Sequence, residues 1–220
     1  MTARLRTVLF DLDGTLVDSR DLILGSYRHV MRVHRGRELA DERWLATMGR
    51  PLTAQLSEFA RDEDEAAAML ATYLTHNRAT HEERIRSFPG VREVLGRLAG
   101  DGYVLGIVSS KSSDGIRLAL RSCALPTEWF RVVIGSDNVD RHKPDPQPIL
   151  AALAAVAEVE PARAVYVGDS IHDLLAGRAA GTRTAAALWG PFDRSQLEPG
   201  EPDYWLEGIG ELEAILDGSR

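Results

Sequence analysis

Hydrophobic residues along the chain fall into two kinds of segment. Short apolar runs without alternation, at Thr7 to Phe10, Val104 to Val108, Val132 to Ile134, Ala164 to Val167 and Thr184 to Leu188, read as strands buried on both faces. Stretches with helical spacing separate the later runs: Val91 to Ala99, Asp114 to Cys123, Gln147 to Val156 and Leu174 to Ala180, with a terminal helix at Ile209 to Leu216. Such alternation predicts an α/β fold, a Rossmann-like doubly wound parallel sheet. From Asp18 to Arg86 the pattern is different, with no convincing strand and successive helices at Asp18 to Val33, Asp41 to Met48, Pro51 to Phe59 and Asp62 to His76. The first strand needs the sheet to cover both its faces. The helical block is therefore an insertion, and the expected organisation is an α/β catalytic core of residues 1–16 and 87–220 with an all-helical cap of residues 17–86. Two crossings close to the end of the first strand would set that cap over the strand ends as a lid.

Composition narrows the possibilities. The 220 residues can bury a real core without staples, and the single cysteine, Cys123, excludes an internal disulfide framework and suits a reducing compartment. The N-terminal apolar run is cut by Asp11 too early for a signal peptide or membrane span, so a cytoplasmic protein is expected. A net charge of -7 argues against nucleic acid as a partner, and a small anionic substrate then needs local positive charge. Only two of the 26 basic residues are lysines, Lys111 and Lys143. Both fall at predicted strand ends, where a compact point charge does what arginine's broad fork cannot.

Four strand ends carry chemistry. The first runs into Asp11-Leu12-Asp13-Gly14-Thr15, two carboxylates before a glycine turn. Asp-Gly is also a common hairpin signal, but neither flank alternates and no second strand follows to pair. The second ends in Ser109-Ser110-Lys111, a hydroxyl and a charge where a phosphate oxygen could sit, and the third in Arg141-His142-Lys143-Pro144-Asp145-Pro146. The fourth runs into Gly168-Asp169-Ser170-Ile171-His172-Asp173, with acids four apart at a strand-to-helix turn. Each alone reads as a capped helix or stiff loop. Together, beyond the carboxyl ends of parallel strands, they describe a site for phosphoryl chemistry.

In this order the four segments resemble the motifs of the haloacid dehalogenase superfamily of phosphohydrolases, and the resemblance covers nearly the whole chain. It implies Mg²⁺ as cofactor and a small phosphorylated substrate. Asp11 would be the nucleophile that carries an aspartyl-phosphate, and Asp13 the acid and base that protonates the leaving oxygen and then activates water. Asp11, Asp169 and Asp13, the last through its backbone oxygen, would hold the metal. Ser109, Lys143 and the backbone amides of Gly14, Thr15 and Ser110 would hold phosphate oxygens, and Asp173 would orient water or Lys143. Dehalogenases of the superfamily lack the second acid of the pentad, so Asp13 argues against that reaction. His142 and His172 flank the site and are expected to be structural or at its rim.

The cap chooses the substrate. Met48-Gly49-Arg50-Pro51-Leu52 resembles the cap loop of phosphoglycolate phosphatases and points to Arg50 as a substrate contact. Ser26-Tyr27-Arg28-His29, His76-Asn77-Arg78, Ala180-Gly181-Thr182-Arg183-Thr184 and Trp189-Gly190 are more similar to a bacterial pyrophosphatase subgroup. Pyrophosphate is expected slightly ahead of 2-phosphoglycolate, with a phosphosugar phosphatase or mutase as alternative and a non-catalytic binding protein as a remote one. His76 and His81 are placed either near the anion or on a polar helix surface, and Trp129, Trp189 and Trp205 against core helices. Oligomeric state is not readable from the sequence.

Overall fold

A computed structural model of the protein describes residues 5–157 and 160–218. The chain enters through strand β1 (Thr7–Phe10) and a short β2 (Val17–Asp18), then forms four helices, α1 (Arg20–Arg35), α2 (Glu42–Leu45), α3 (Leu52–Ser57) and α4 (Glu63–Arg84). It returns through β3 (Arg86–Ser87) and continues as α5 (Val91–Gly100), β4 (Val104–Val108), α6 (Ser113–Ser122), β5 (Phe130–Ile134), α7 (Gln147–Ala155) and β6 (Ala164–Gly168). The last elements are α8 (Ile171–Ala179), β7 (Arg183–Ala187), α9 (Arg194–Leu197), β8 (Tyr204–Leu206) and α10 (Leu212–Leu216). No helix among the described residues is long and apolar enough to cross a membrane.

Six strands form one sheet in the order β5-β4-β1-β6-β7-β8, and every neighbouring pair in it is parallel. The expected doubly wound sheet is therefore present. From β1 the chain builds outward through β4 and β5, then crosses back to the other side at β6. That reversal opens a crevice at the carboxyl ends of β1 and β6, the place where such sheets bind ligands. Successive residues of β1 serve opposite faces: Val8 and Phe10 pack with Leu95, Ile116 and Leu212 on one side, and Leu9 packs with Ile149, Ala152 and Ala176 on the other. This double burial is why the strand reads as an unbroken apolar run.

The helices between β2 and β3 bury a separate cluster that includes Tyr27, Trp44, Leu56, Met69 and Tyr73. Tyr27 stacks on Trp44 at 4.0 Å between ring centroids. Three elements differ from expectation. The two crossings pair as an antiparallel ribbon, Val17 with Ser87 and Asp18 with Arg86; two residues on each side are too few for periodicity to register. Strand β8 was not foreseen, being a three-residue edge strand closed in by Pro202-Asp203 and Glu207-Gly208. Helix α4 runs on to Arg84, eight residues past its expected end. Its buried stripe continues at Asn77 and His81 in place of apolar residues, so the hydrophobic signal fades before the helix does.

Candidate active site

The turn after β1 has little freedom. Gly14 takes φ +87°, and a Cβ there would lie 2.3 Å from a carboxylate oxygen of Asp169, so both backbone and packing demand glycine. Thr15 Oγ1 donates to Asp169 Oδ1 at 2.9 Å, tying the first motif to the fourth. The Trp189 indole N–H donates to the Thr15 carbonyl at 2.9 Å, which accounts for its partly buried position against the sheet core.

Lys143 is the hub. Its ammonium is 2.9 Å from Asp11 Oδ1, 2.5 Å from Asp173 Oδ1 and 3.1 Å from the Tyr166 hydroxyl, with 2% of its side chain exposed. Tyr166 in turn donates to the Val108 carbonyl at 2.8 Å. A tyrosine within an apolar strand was its only trace in the sequence, and sequence reasoning gave it no role. Asp173 is fully engaged, because its other oxygen accepts from the Ser170 amide at 3.0 Å and the Ser170 hydroxyl at 2.5 Å. Ser170 caps α8 through the Asp173 amide, so the cap of that helix and the seat of Lys143 are one structure.

Three carboxylates, Asp11, Asp169 and Asp173, face this single ammonium, and ligand atoms of all three lie within 4.8 Å of one another. Burial pushes the Asp11 carboxyl up to about 7, Lys143 pulling it down and Asp173 pushing it up again. Burial, then the charges of Asp173 and Asp11, hold Asp169 well above the carboxylate range. Burial also opposes the charge on Lys143, but Asp11 and Asp173 outweigh it and keep its pKa well above the ordinary value. So many buried acids beside one cation call for a second cation, and a hard divalent ion suits oxygen donors. With Asp173 engaged, Asp11 and Asp169 are the carboxylates left for it.

Asp13 behaves differently. Its carboxylate accepts from the Lys111 ammonium at 2.6 and 2.7 Å and from the Ser19 hydroxyl at 2.6 Å. Burial works against its charge, yet Lys111 and Ser19 together bring its pKa below the ordinary carboxylate value. The side chain is thus spent on Lys111 and Ser19, leaving the backbone oxygen as the only Asp13 donor for a metal. The expectation that Asp13 stores a proton needs correction for the free site, where Lys111 keeps it ionised. Lys111 was expected to meet a phosphate oxygen and instead meets this acid.

The phosphate contacts also need revision. The amides of Gly14 and Thr15 are used inside the turn, donating to the carbonyls of Val17 at 2.9 Å and Leu12 at 3.3 Å, so neither is free for a ligand. Among the described residues the amides of Leu12 and Asp13 have no such partner. Ser109 lines the cleft, its oxygen accepting only from the Lys111 amide at 3.2 Å, so its hydroxyl proton is available. Ser110 spends its hydroxyl on the Gly49 carbonyl at 2.6 Å and fastens the Met48–Leu52 loop to the sheet end. Arg50 lines the cleft, but its guanidinium is paired with Glu58. His142 is also on the cleft wall, His172 is partly buried with an unpartnered Nδ1, and His76 stacks on His29 away from the cleft. His81 does line the cleft.

Comparison with known proteins shows the family of the chain. The family described as haloacid dehalogenase-like hydrolase matches residues 8–187. A protein named pyrophosphatase PpaX from Anoxybacillus flavithermus is 36% identical over 212 residues, covering 96% of this chain and 97% of that protein. One of the same name from Bacillus cereus is 35% identical over 213 residues, 97% of each. Among solved structures, a putative haloacid dehalogenase-like hydrolase from Bacteroides fragilis superposes with a TM-score of 0.87 at 27% identity, over 95% of this chain and 100% of that one. A predicted phosphoglycolate phosphatase from Haemophilus somnus shares the fold, with a TM-score of 0.89 at 20% identity over 98% and 99% of the two chains. The chain belongs to the haloacid dehalogenase-like hydrolases.

Proposed function

We propose that this phosphohydrolase uses Mg²⁺ and a covalent aspartyl-phosphate on Asp11 to cleave a small phosphorylated anion, with pyrophosphate ahead of 2-phosphoglycolate. The observation that carries the reading is the convergence on one buried Lys143 of Asp11 and Asp173, with Asp169 alongside. A helix cap at Asp173 and one hydrogen bond from Thr15 to Asp169 do not account for three buried acids together, and a phosphoryl group and its counter-cation do. The order of substrates leans on the PpaX proteins, similar over nearly their whole length.

Phosphate esters and anhydrides resist attack because their own charge repels nucleophiles. Mg²⁺ bound by Asp11, Asp169 and the backbone oxygen of Asp13 would neutralise that charge and keep the Asp11 carboxylate ionised. The Ser109 hydroxyl grips a non-bridging oxygen, and Lys143 grips another with the N–H that it gives to Asp11 in the free site. An Asp11 oxygen attacks phosphorus as the bond to the leaving oxygen breaks, and Asp13 gives that oxygen its proton. Because Lys111 holds Asp13 ionised in the free site, the incoming anion must first draw Lys111 away, and Asp13 must take up a proton from solvent, before it can act as an acid. Asp13 then takes a proton from water, whose oxygen attacks phosphorus, releasing phosphate and regenerating Asp11. Asp173 keeps Lys143 in place throughout. We assign residues 17–86 as the cap that closes over this site.

The cleft measures about 810 Å³ and is walled partly by Leu70, Tyr73 and Leu74 of α4. That space exceeds what two phosphoryl groups fill, and keeps a phosphosugar phosphatase as the second reading. Phosphate release measured with Mg²⁺ across pyrophosphate, 2-phosphoglycolate and hexose phosphates separates them. Highest kcat/KM on pyrophosphate is the expected result; a hexose phosphate in first place would reverse the order, and inactivity on every substrate would sink the hydrolase mechanism.

A further inference from the structure

His81 has no part in the scheme above, yet its position calls for one. It ends the buried stripe Met69, Tyr73, Asn77, His81 on α4, four residues apart and so on one side of the helix. Met69 and Tyr73 pack within the helical block, whereas His81 reaches across to the sheet side: its Nδ1 is 3.2 Å from the hydroxyl of Ser122 at the end of α6. Only 2% of the residue is exposed, and its Nε2 is buried without a hydrogen-bond partner. Buried polar groups are nearly always satisfied, so an unpartnered one that also lines a ligand cleft points to a partner absent from the free protein.

The location indicates which part of the substrate that partner is. Burial apart, the charges that bear most on the imidazole are those of Lys111 and Asp13, then Glu82 and Arg121, and its neighbour Ser122 ends α6, the helix that begins just past Lys111. His81 thus lies on the Asp13 side of the cleft, where the leaving group departs, rather than on the Asp11 side, where the phosphoryl group is held. Burial first and Lys111 second lower its pKa, so the ring is neutral and carries one proton. We assign the Ser122 hydroxyl, which has no other protein partner, as the donor to Nδ1, and the ring proton then lies on Nε2.

We propose that His81 Nε2 donates a hydrogen bond to an oxygen acceptor on the leaving group, making His81 a specificity residue that favours leaving groups bearing a second oxyanion. The inference rests on the reading of Asp13 as the leaving-group acid.

The test compares wild-type protein with His81→Leu and His81→Gln on pyrophosphate and 2-phosphoglycolate, which carry such an acceptor, and on methyl phosphate, which does not. His81→Leu should lose about tenfold in kcat/KM on the first two, mainly through KM, as expected for one lost hydrogen bond. Methyl phosphate should change less than about twofold. Glutamine, which keeps an N–H near the same point, should recover most of the loss. Equal losses on all three substrates would assign His81 to packing alone and overturn the proposal, as would no loss on any. Should His81→Leu fail to fold, Ser122→Ala decides: a loss of about threefold confined to the acceptor-bearing substrates supports the proposal, and a uniform effect or none overturns it. Calorimetric titration of pyrophosphate with Mg²⁺ keeps the two readings apart. Weaker binding to His81→Leu upholds His81 as a ligand contact even if no substrate turns over; equal binding to variant and wild type, or none to either, ends it.

Discussion

The sheet ends and the helical wall face each other across one cleft but hold their polar groups in opposite ways. At the sheet ends every acid and lysine of the site is anchored: Lys143 has three partners, Asp173 uses both oxygens, Asp13 is gripped by a lysine and a serine, and Asp11 and Asp169 each accept one hydrogen bond. On the helical side Arg50 turns to its neighbour Glu58, and His81 keeps a nitrogen unpartnered. On the proposed mechanism, groups that perform the chemistry are pre-organised before the substrate arrives, which is how transition-state charge is stabilised without reorganisation. Groups proposed to choose the substrate would be completed by it. Rigid chemistry beside an unfinished recognition wall is how one sheet can serve different substrates by changing the cap.

The sharpest break of this contrast is at Asp11. Asp11→Asn should cost at least about 10³-fold in turnover, measured as phosphate release, because the asparagine amide cannot carry the phosphoryl group. Circular dichroism should show the fold intact, since one buried carboxylate fewer relieves repulsion with Asp173. Retention of normal turnover would remove Asp11 from the nucleophile's place. The two lysines come next. Lys143→Ala leaves Asp11 and Asp173 buried without their cation and should cost about 3–5 kcal/mol in denaturant unfolding. Lys111→Ala breaks a pair whose side chains are 17% and 18% exposed, and about 1–2 kcal/mol is expected. If the two losses proved equal, the idea that the Lys143 hub is the more tightly held half of the site would fail.

A smaller effect comes from pH and metal. Asp11 rises from 3.8 to about 7 on folding, so between those values the folded state binds more protons than the unfolded one and stability falls as pH increases. Asp169, also raised, adds in the same direction. Mg²⁺ must displace those protons, so it should stabilise the protein more at pH 8 than at pH 5.5. At 100 times its dissociation constant the gain at the higher pH is about 2.7 kcal/mol. Melting temperatures with and without Mg²⁺ at the two pH values check this. A gain that did not grow with pH would show that protonation of Asp11 does not compete with the metal.

The two walls were also unequally legible in the sequence. Asp11, Ser109 and Asp169 follow directly on unbroken apolar runs, so locating the strands located them as well. Lys143 lies nine residues past its strand, but the prolines around it marked a stiff loop. The partners were not readable in the same way. That Lys111 meets Asp13, or that Tyr166 supports Lys143, depends on side chains 98 and 23 residues apart in the chain and on which way each points. The amides of Gly14 and Thr15 were misassigned because a turn's internal hydrogen bonds are invisible without its backbone angles. On the helical side even α4 was cut short, since its stripe turns polar where it reaches the cleft. The feature that hid the helix, Asn77 and His81 in place of apolar residues, is the one on which its proposed recognition role rests.

The smallest expected effect belongs to Arg50, and it tests whether the recognition wall is unfinished or merely distant. In the free protein its guanidinium is paired with Glu58, both side chains being more than a third exposed, and such a pair contributes little to stability. Arg50→Ala should therefore leave the unfolding free energy within about 0.5 kcal/mol. A contact made only after the substrate arrives would appear in kinetics instead, as a rise of about three- to tenfold in KM for pyrophosphate with kcat nearly unchanged. Glu58→Ala, which frees the guanidinium in advance, should lower KM or leave it unaltered. If Arg50→Ala left KM untouched and Glu58→Ala raised it, Arg50 would be a surface pair and nothing more. Substrate choice would then fall to the deeper residues of α4, and the contrast between the two walls would narrow to the single side chain of His81.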